Sequence, residues 1–141
     1  MAKRRANATW NGTLKEGGGS MRLGSGSFEG EFSFGTRFEE SPGTNPEELV
    51  GAALAGCFSM ALSADLEKAG FTPISVETES ETTLDNPGDG PAIVEITLQT
   101  KAKIEGIGEQ KFQEIASRTK SGCPVAKALT GTTITLKATL L

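Results

Sequence analysis

The chain of 141 residues is long enough to bury a hydrophobic core, so we expect a single domain over residues 1–141. Its 14 Lys and Arg against 18 Asp and Glu give a net charge of −4, which disfavours nucleic-acid binding, and the absence of His and Tyr excludes a Cys–His hydrolase and removes the commonest metal ligand. Two cysteines are too few for a secreted disulfide framework. No apolar run approaches the length of a membrane span and the first residues are not signal-like, so we expect a soluble, cytoplasmic protein.

Residues 3–38 form short β-like segments that are broken by glycine. The glycines at positions 17–19 separate two such segments, which predicts twisted hairpins with loose connections. Arg37 lies between Phe34 and Phe38 in a strand-like stretch, where a permanent charge is unusual unless an anionic group lies nearby. The alternative is an arginine at a strand edge that faces water.

A long helix is predicted to begin at Thr44, where the composition changes. Thr44 and Asn45 each precede a glutamate by three residues, as in a capping box, and Pro46 suits the first helical turn. Helical spacing continues to about residue 69, and Gly70 suits the left-handed position that follows a last turn. Residues 49–62 are apolar or small on nearly every side, which predicts a central helix that is buried all round.

The second half of the chain carries strand and helix patterns in turn. Residues 74–84 and 92–104 alternate apolar and polar side chains on either side of a turn, which predicts an antiparallel hairpin. Residues 109–129 return to helical spacing, but a glycine and a proline interrupt it, so we expect two helical segments with a break at Cys123. Residues 132–141 alternate again and predict a final strand with one buried face.

Cys57 lies in the middle of the predicted long helix, on one stripe with Val50, Ala53, Leu54 and Ala61. A free cysteine in such a place is usually a small core hydrophobe. Many of its neighbours are small residues, namely Gly51, Ala52, Ala53, Ala55 and Gly56. They leave space beside the sulfur that another backbone, another helix or a ligand must fill, so a core role and a reactive role both stay open.

Cys123 directly precedes Pro124 at the predicted helix break. This order places Cys123 at the N-cap of the second segment, where free N–H groups and the positive end of the helix dipole favour a thiolate. The alternative is a buried cysteine in a helix linker.

Glu47 stands at the start of the long helix, where a carboxylate is expected for capping alone. Ten residues of helix separate it from Cys57, and at about 1.5 Å per residue the two lie roughly 15 Å apart along the axis. They cannot meet within one helix. If both belong to one site, an intermediary or a second subunit must close the gap.

Four sequence blocks, in this order, resemble the OsmC/Ohr family of osmotically inducible and organic hydroperoxide resistance proteins: TRFEE, TNPEELVGAALAGCFSMALS, GFTP and GCPV. The likeness covers nearly the whole chain, and the position of Arg37 shortly before the helix is similar to the OsmC branch. The resemblance implies an α+β fold in which curved antiparallel sheets wrap around two long central helices. It also implies an intertwined homodimer with two active sites at the subunit interface.

The resemblance further implies a thiol-dependent peroxidase that reduces organic hydroperoxides to alcohols. Cys57 would be the peroxidatic cysteine, Cys123 the resolving cysteine, and Arg37 and Glu47 the activating pair. A Cys57 sulfenic acid and then a Cys57–Cys123 disulfide would form, a dithiol such as a lipoyl-bearing protein would reduce that disulfide, and no cofactor or metal would take part. The alternative is a non-catalytic, dimeric apolar-ligand-binding or stress structural protein with two core cysteines.

Overall fold

A computed structural model describes residues 1–141, which divide into two compact units, Met1–Leu49 and Val50–Leu141. The first unit contains a three-stranded antiparallel sheet in chain order, formed by β1 (Ala6–Asn11), β2 (Gly18–Leu23) and β3 (Glu29–Phe32). The predicted hairpins are therefore confirmed. The glycine run is not only a loose connection, because Gly18 and Gly19 belong to β2 and pair with residues of β1.

The stretch around Arg37 is helical, so the prediction of a strand there is wrong. It forms the single-turn helix α1 (Phe34–Phe38). The reason is a capping box that is local in the sequence: the Ser33 hydroxyl accepts from the Thr36 amide at 3.2 Å, and the Ser33 amide donates to the Thr36 hydroxyl at 2.8 Å. These two bonds favour a helical turn over the extended conformation that the phenylalanines suggested.

The long helix α2 (Pro46–Lys68) confirms the prediction from the capping signals. The Asn45 side chain accepts from the Glu48 amide at 2.8 Å, and Gly70 has a φ of +92° after the last turn. Four residues on one face are fully buried: Leu54, Phe58, Leu62 and Leu66.

The opposite face of α2 is not buried in the single chain, so the prediction of a helix buried all round is wrong at this level. We call it the open face, and it consists of Ala52, Ala53, Gly56, Met60 and Ala64, all exposed. Met60 is 78% exposed, and a Cβ added to Gly56 would meet nothing within 4 Å. Apolar composition alone could not show which face the chain itself covers.

By length and composition alone, α2 could cross a membrane, contrary to our expectation that no apolar run approaches that length. An 18-residue window has a mean hydropathy of 1.6. One such helix is weak evidence of a membrane span, because the core helix of a soluble protein passes the same test. The fully buried Leu54 and Phe58 pack in the hydrophobic core of the second unit.

The second unit contains a three-stranded sheet in the order β4 (Pro73–Asp85), β5 (Ala92–Ile104) and β6 (Thr133–Leu140). The hairpin of β4 and β5 is antiparallel, as predicted. β6 instead pairs parallel to β5, so the expectation of purely antiparallel sheets is wrong. Two helices, α3 (Glu109–Gly122) and α4 (Pro124–Ala128), connect β5 to β6 and supply the long crossover that a parallel pairing needs.

Candidate active site

The structure brings the two cysteines together in the second unit. Cys57 lies on α2 and is partly buried, whereas Cys123 lies in the break between α3 and α4 and is only 1% exposed. The thiols are close enough for Cys57 to act on the ionisation of Cys123. The two cysteines are 66 positions apart in the sequence, and they meet because the stripe that carries Cys57 packs on the core to which Cys123 belongs.

Polar contacts fix how α2 lies on the sheet near Cys57. Ser59 donates a hydrogen bond to the Thr78 hydroxyl at 2.8 Å, and the Thr78 and Thr100 hydroxyls lie 2.9 Å apart. Thr100 is 1% exposed, so this chain of hydroxyls satisfies a polar group inside the core. A helix anchored in this way has a defined rotation about its axis, which determines where the Cys57 sulfur points.

Cys123 is the N-cap of α4, as the sequence predicted. Its sulfur accepts from the Ala126 amide at 3.4 Å, and Pro124 occupies the first helical position. The expected stabilisation of a Cys123 thiolate is nevertheless wrong in sign. Burial raises the pKa of Cys123 above its ordinary value of 9.0, the amides of Ala126 and Val125 lower it, and the Cys57 thiol raises it further.

The physical reason is the size of the competing effects. A helix of five residues offers few aligned dipoles, whereas nearly complete burial removes the water that would solvate a thiolate. Cys123 therefore remains a protonated thiol at neutral pH. A buried protonated thiol is a poor nucleophile toward an external reagent, so the pair is chemically asymmetric.

A second contact joins the two elements that carry the cysteines. The Thr119 hydroxyl shares its proton between the Asp65 carboxylate, at 2.7 Å, and the Ile115 carbonyl, at 2.8 Å. Asp65 lies eight residues beyond Cys57 on α2, and Thr119 lies four residues before Cys123 on α3, so each partner lies on the same helical face as one cysteine. We call this contact the Asp65–Thr119 clamp.

Sequence reasoning missed the clamp, although a signal for it was present. Asp65 is a carboxylate within an otherwise uncharged stretch of α2 that extends from Leu49 to Leu66, and it lies on the stripe of Cys57. Thr119 lies within the stretch 109–129 that was predicted to be helical, and because it is 1% exposed its hydroxyl needs a partner.

Arg37 and Glu47 form an ion pair in the first unit. Nε and Nη2 of Arg37 lie 2.9 and 2.8 Å from the same oxygen, Oε1 of Glu47. The Glu47 side chain is 8% exposed and that of Arg37 39% exposed, and the guanidinium carbon lies 5.4 Å from the centre of the Phe38 ring. Arg37 is therefore not a strand-edge residue that only faces water, and Glu47 does more than cap a helix.

The pair leaves part of the guanidinium free. An arginine has five N–H donors, and Glu47 engages two of its nitrogens through a single oxygen. The other oxygen, Oε2, is buried without a hydrogen-bond partner. Arg37 is thus held in place by a nearly buried carboxylate while further donors remain available to an anionic group.

The four predicted site residues therefore occur as two pairs. The continuous helix α2 confirms that Glu47 and Cys57 are separated by ten helical residues, or about 15 Å of axis. No group of three or more His, Cys, Asp and Glu side chains in the chain could hold a metal ion.

Comparisons with known proteins agree with this architecture. The family described as OsmC-like protein matches residues 38–137. Peroxiredoxin OsmC of Escherichia coli strain K12 is 44% identical over 127 residues, which is 89% of each chain, and organic hydroperoxide resistance protein OhrB of Bacillus subtilis is 33% identical over 66% of this chain and 67% of its own.

Solved structures show the same fold. An OsmC-like protein of unknown function from Vibrio cholerae aligns with a TM-score of 0.77 at 16% identity over 98% of this chain and 99% of its own. An organic hydroperoxide resistance protein OsmC from Legionella pneumophila aligns with a TM-score of 0.74 at 21% identity over 99% of each chain. With the family match over 38–137 and the 44% identity to peroxiredoxin OsmC, this α+β chain belongs to the OsmC family.

Proposed function

We propose that this protein is a cysteine-based peroxidase that reduces organic hydroperoxides to alcohols. The observation that carries the proposal is the close approach of Cys57 on α2 to the buried Cys123 at the start of α4. The names of its relatives, a peroxiredoxin and organic hydroperoxide resistance proteins, indicate the same chemistry. We infer an organic substrate because the residues around Cys57 are small and apolar, and burial of an alkyl group against such residues contributes about 0.8 kcal/mol per CH₂.

In the proposed cycle, the Cys57 thiolate attacks the outer oxygen of the hydroperoxide. The O–O bond breaks, a proton passes to the departing alkoxide, and an alcohol leaves while Cys57 becomes a sulfenic acid. The Cys123 sulfur then attacks the Cys57 sulfur, and the hydroxyl of the sulfenic acid leaves as water with the Cys123 proton. A dithiol reduces the resulting disulfide and restores both thiols.

The asymmetry of the pair suits these roles. Cys123 stays protonated and buried, so it does not compete with Cys57 for the peroxide. Cys123 becomes reactive only toward the electrophilic sulfur of the Cys57 sulfenic acid, because its proximity to that sulfur compensates for its low nucleophilicity.

The direct test is to react the reduced protein with one equivalent of an alkyl hydroperoxide and map the linkage by mass. We expect loss of both thiols, one equivalent of alcohol and a disulfide between Cys57 and Cys123. Two thiols that remain free and slow to react would contradict the proposal. That outcome would favour the non-catalytic, ligand-binding or structural protein with two core cysteines.

We further propose that Arg37 stabilises the thiolate and the developing negative charge, while Glu47 holds the guanidinium in position. The free donors of Arg37 and its anchoring by a nearly buried carboxylate support this role. We propose that a second copy of the chain, rather than an intermediary, closes the roughly 15 Å of helix between Glu47 and Cys57.

Arg37→Ala should lower the rate of peroxide attack about 10²-fold, because the loss of one preorganised donor group from a developing anion has an effect of that order. Rapid-mixing measurement of thiol loss in a single turnover would show it. Arg22→Ala is the matched control, since Arg22 is an exposed arginine in β2. An unchanged rate in Arg37→Ala would reduce Arg37 to a structural ion pair.

We propose a homodimer in which the open face of α2 packs on a second copy. The face is apolar, its side chains are small and Met60 is 78% exposed, which is unusual for a helix in water. We expect sedimentation at twice the mass of the chain, and we expect Met60→Lys to weaken the dimer at least about tenfold. Ser117→Lys, at an exposed position of α3, should have no effect on the dimer. A monomeric wild-type protein would refute the assembly.

The Asp65–Thr119 clamp should speed the joining of the two sulfurs. Thr119→Val keeps the volume but removes a hydrogen bond to a carboxylate, worth about 1.5 kcal/mol, so we expect disulfide formation to slow about tenfold while peroxide attack stays unchanged. Thr135→Val is a matched control, because it removes a hydroxyl contact to Thr97 between β6 and β5. Equal slowing of both steps would indicate a general loss of structure.

We also propose that residues 1–141 act as one functional domain, because α2 begins in the first unit and continues into the second without a linker. A cytoplasmic location is proposed because two unpaired, redox-active thiols need a reducing compartment to return to the thiol state.

A further inference from the structure

The charge of this chain is unevenly distributed along the sequence. Residues 115–141 contain no Asp or Glu, so all 18 carboxylates lie in residues 1–114. The same 27 residues carry four basic side chains, Arg118, Lys120, Lys127 and Lys137. The segment around Cys123 is therefore positively charged within a protein whose net charge is −4.

Two of these lysines line one cleft. The cleft has a volume of about 330 Å³, and Lys120 at the end of α3 and Lys127 in α4 lie on its wall. Its apolar lining comes from Ala126, Leu129 and Ile134, and no carboxylate is among its lining residues. Such a site combines positive charge with an apolar surface and suits a ligand with a negative group on an alkyl chain.

The cleft lies beside the resolving cysteine. Ala126, which lines it, donates its amide hydrogen to the Cys123 sulfur at 3.4 Å. Lys120 and Lys127 precede and follow Cys123 by three and four residues. The backbone that holds the sulfur is thus also part of the cleft wall.

We propose that this cleft binds the reductant, and that the reductant is a dithiol that carries negative charge. The inference rests on the proposed peroxidase function, because it concerns reduction of the Cys57–Cys123 disulfide. The lysines would attract the negative group, and the apolar wall would hold the alkyl chain that carries the thiols.

The reduction is a pair of thiol–disulfide exchanges. One reductant thiolate attacks a sulfur of the protein disulfide, which forms a mixed disulfide and releases the other protein sulfur as a thiolate. The second reductant thiol then attacks the mixed disulfide and releases the second protein sulfur. Two electrons and two protons pass to the protein, and the reductant leaves as its own cyclic disulfide.

The experiment follows the reductive half of the cycle alone. The disulfide is generated with a thiol oxidant and verified by mass, and its reduction is timed with a carboxylate-bearing alkyl dithiol and with the neutral carboxamide of the same dithiol. We expect the anionic dithiol to react about tenfold faster at low ionic strength, and the preference to shrink as salt is added.

The variant that tests the cleft is Lys120→Gln combined with Lys127→Gln. It should lose the preference for the anionic dithiol without slowing reduction by the neutral one. Lys101→Gln combined with Lys103→Gln removes the same charge from exposed positions of β5 and should keep the preference. A preference that survives in the cleft variant, or disappears equally in the control, would overturn the inference.

Two further arms complete the design. The neutral dithiol attached to an acidic peptide distinguishes the source of the charge: selective acceleration by the peptide indicates a protein-borne reductant, and acceleration by the free carboxylate a small molecule, provided that either depends on the two lysines. Oxidation by alkyl hydroperoxide is measured separately. If peroxide forms no disulfide, the peroxidase proposal fails, whereas the reductive arm still tests the cleft.

Discussion

Cys57→Ser is expected to abolish hydroperoxide reduction. A serine hydroxyl ionises far less readily than a thiol, and its oxygen cannot be oxidised to a sulfenic acid or form a disulfide. The change should be mild for the fold, because Cys57 is only partly buried and the two side chains have similar shapes. Consumption of an alkyl hydroperoxide in the presence of a dithiol should therefore fall to the uncatalysed rate while the thermal unfolding curve stays close to that of the wild type.

A matched control is available on the same helix. Ser63→Ala changes one small, partly buried side chain of α2 six residues beyond Cys57 and should retain activity. Full turnover by Cys57→Ser over many cycles would end the peroxidase proposal for this cysteine. Loss of activity in both variants would instead point to a disturbed helix rather than to a missing nucleophile.

The elements that sequence reasoning predicted well are those whose signals are local. The helix α2 begins where Asn45 and Pro46 indicate, and it ends before Gly70 because a left-handed residue follows the last turn. The break at Cys123 follows from the inability of Pro124 to continue an α-helix. Each of these features depends on a few neighbouring residues.

The elements that were mispredicted depend on hydrogen bonds, chain connections and packing that the local apolar and polar pattern does not show. The turn α1 is decided by two hydrogen bonds between Ser33 and Thr36, against an apolar pattern that suited a strand. The parallel pairing of β6 with β5 is decided by the crossover through α3 and α4. The exposure of Met60 depends on how the chain packs. An apolar helix has the same sequence pattern whether its own chain or another chain covers it.

The candidate site shows the same division. Residue chemistry alone left Cys57 and Cys123 as core cysteines or reactive ones, and only the resemblance to the OsmC/Ohr family assigned their roles. The N-cap position of Cys123 is visible in the sequence, and it led us to expect a lowered pKa. The pKa is instead raised by burial, which the sequence does not show. The Asp65–Thr119 clamp joins residues 54 positions apart, a distance that no periodic pattern spans.

Cys123→Ser is expected to permit one turnover and then to lead to overoxidation. The Cys57 sulfenic acid forms as before, but a serine hydroxyl does not condense with it, so no disulfide protects the sulfur. A second equivalent of peroxide then oxidises Cys57 to a sulfinic acid, which a dithiol does not reduce. Intact mass after stepwise peroxide addition should show two added oxygen atoms on the variant and a disulfide in the wild type.

The choice of serine separates the redox role of Cys123 from its structural role. Serine is a strong N-cap residue, so its hydroxyl can accept from the Ala126 amide as the sulfur does and α4 should stay folded. Cys123→Ala should show the same overoxidation but also lose about 0.5–2 kcal/mol of stability with the cap. Sustained, dithiol-dependent turnover by Cys123→Ser without sulfinic acid would mean that Cys57 is resolved by an external thiol, and the contact between the two cysteines would then serve packing rather than catalysis.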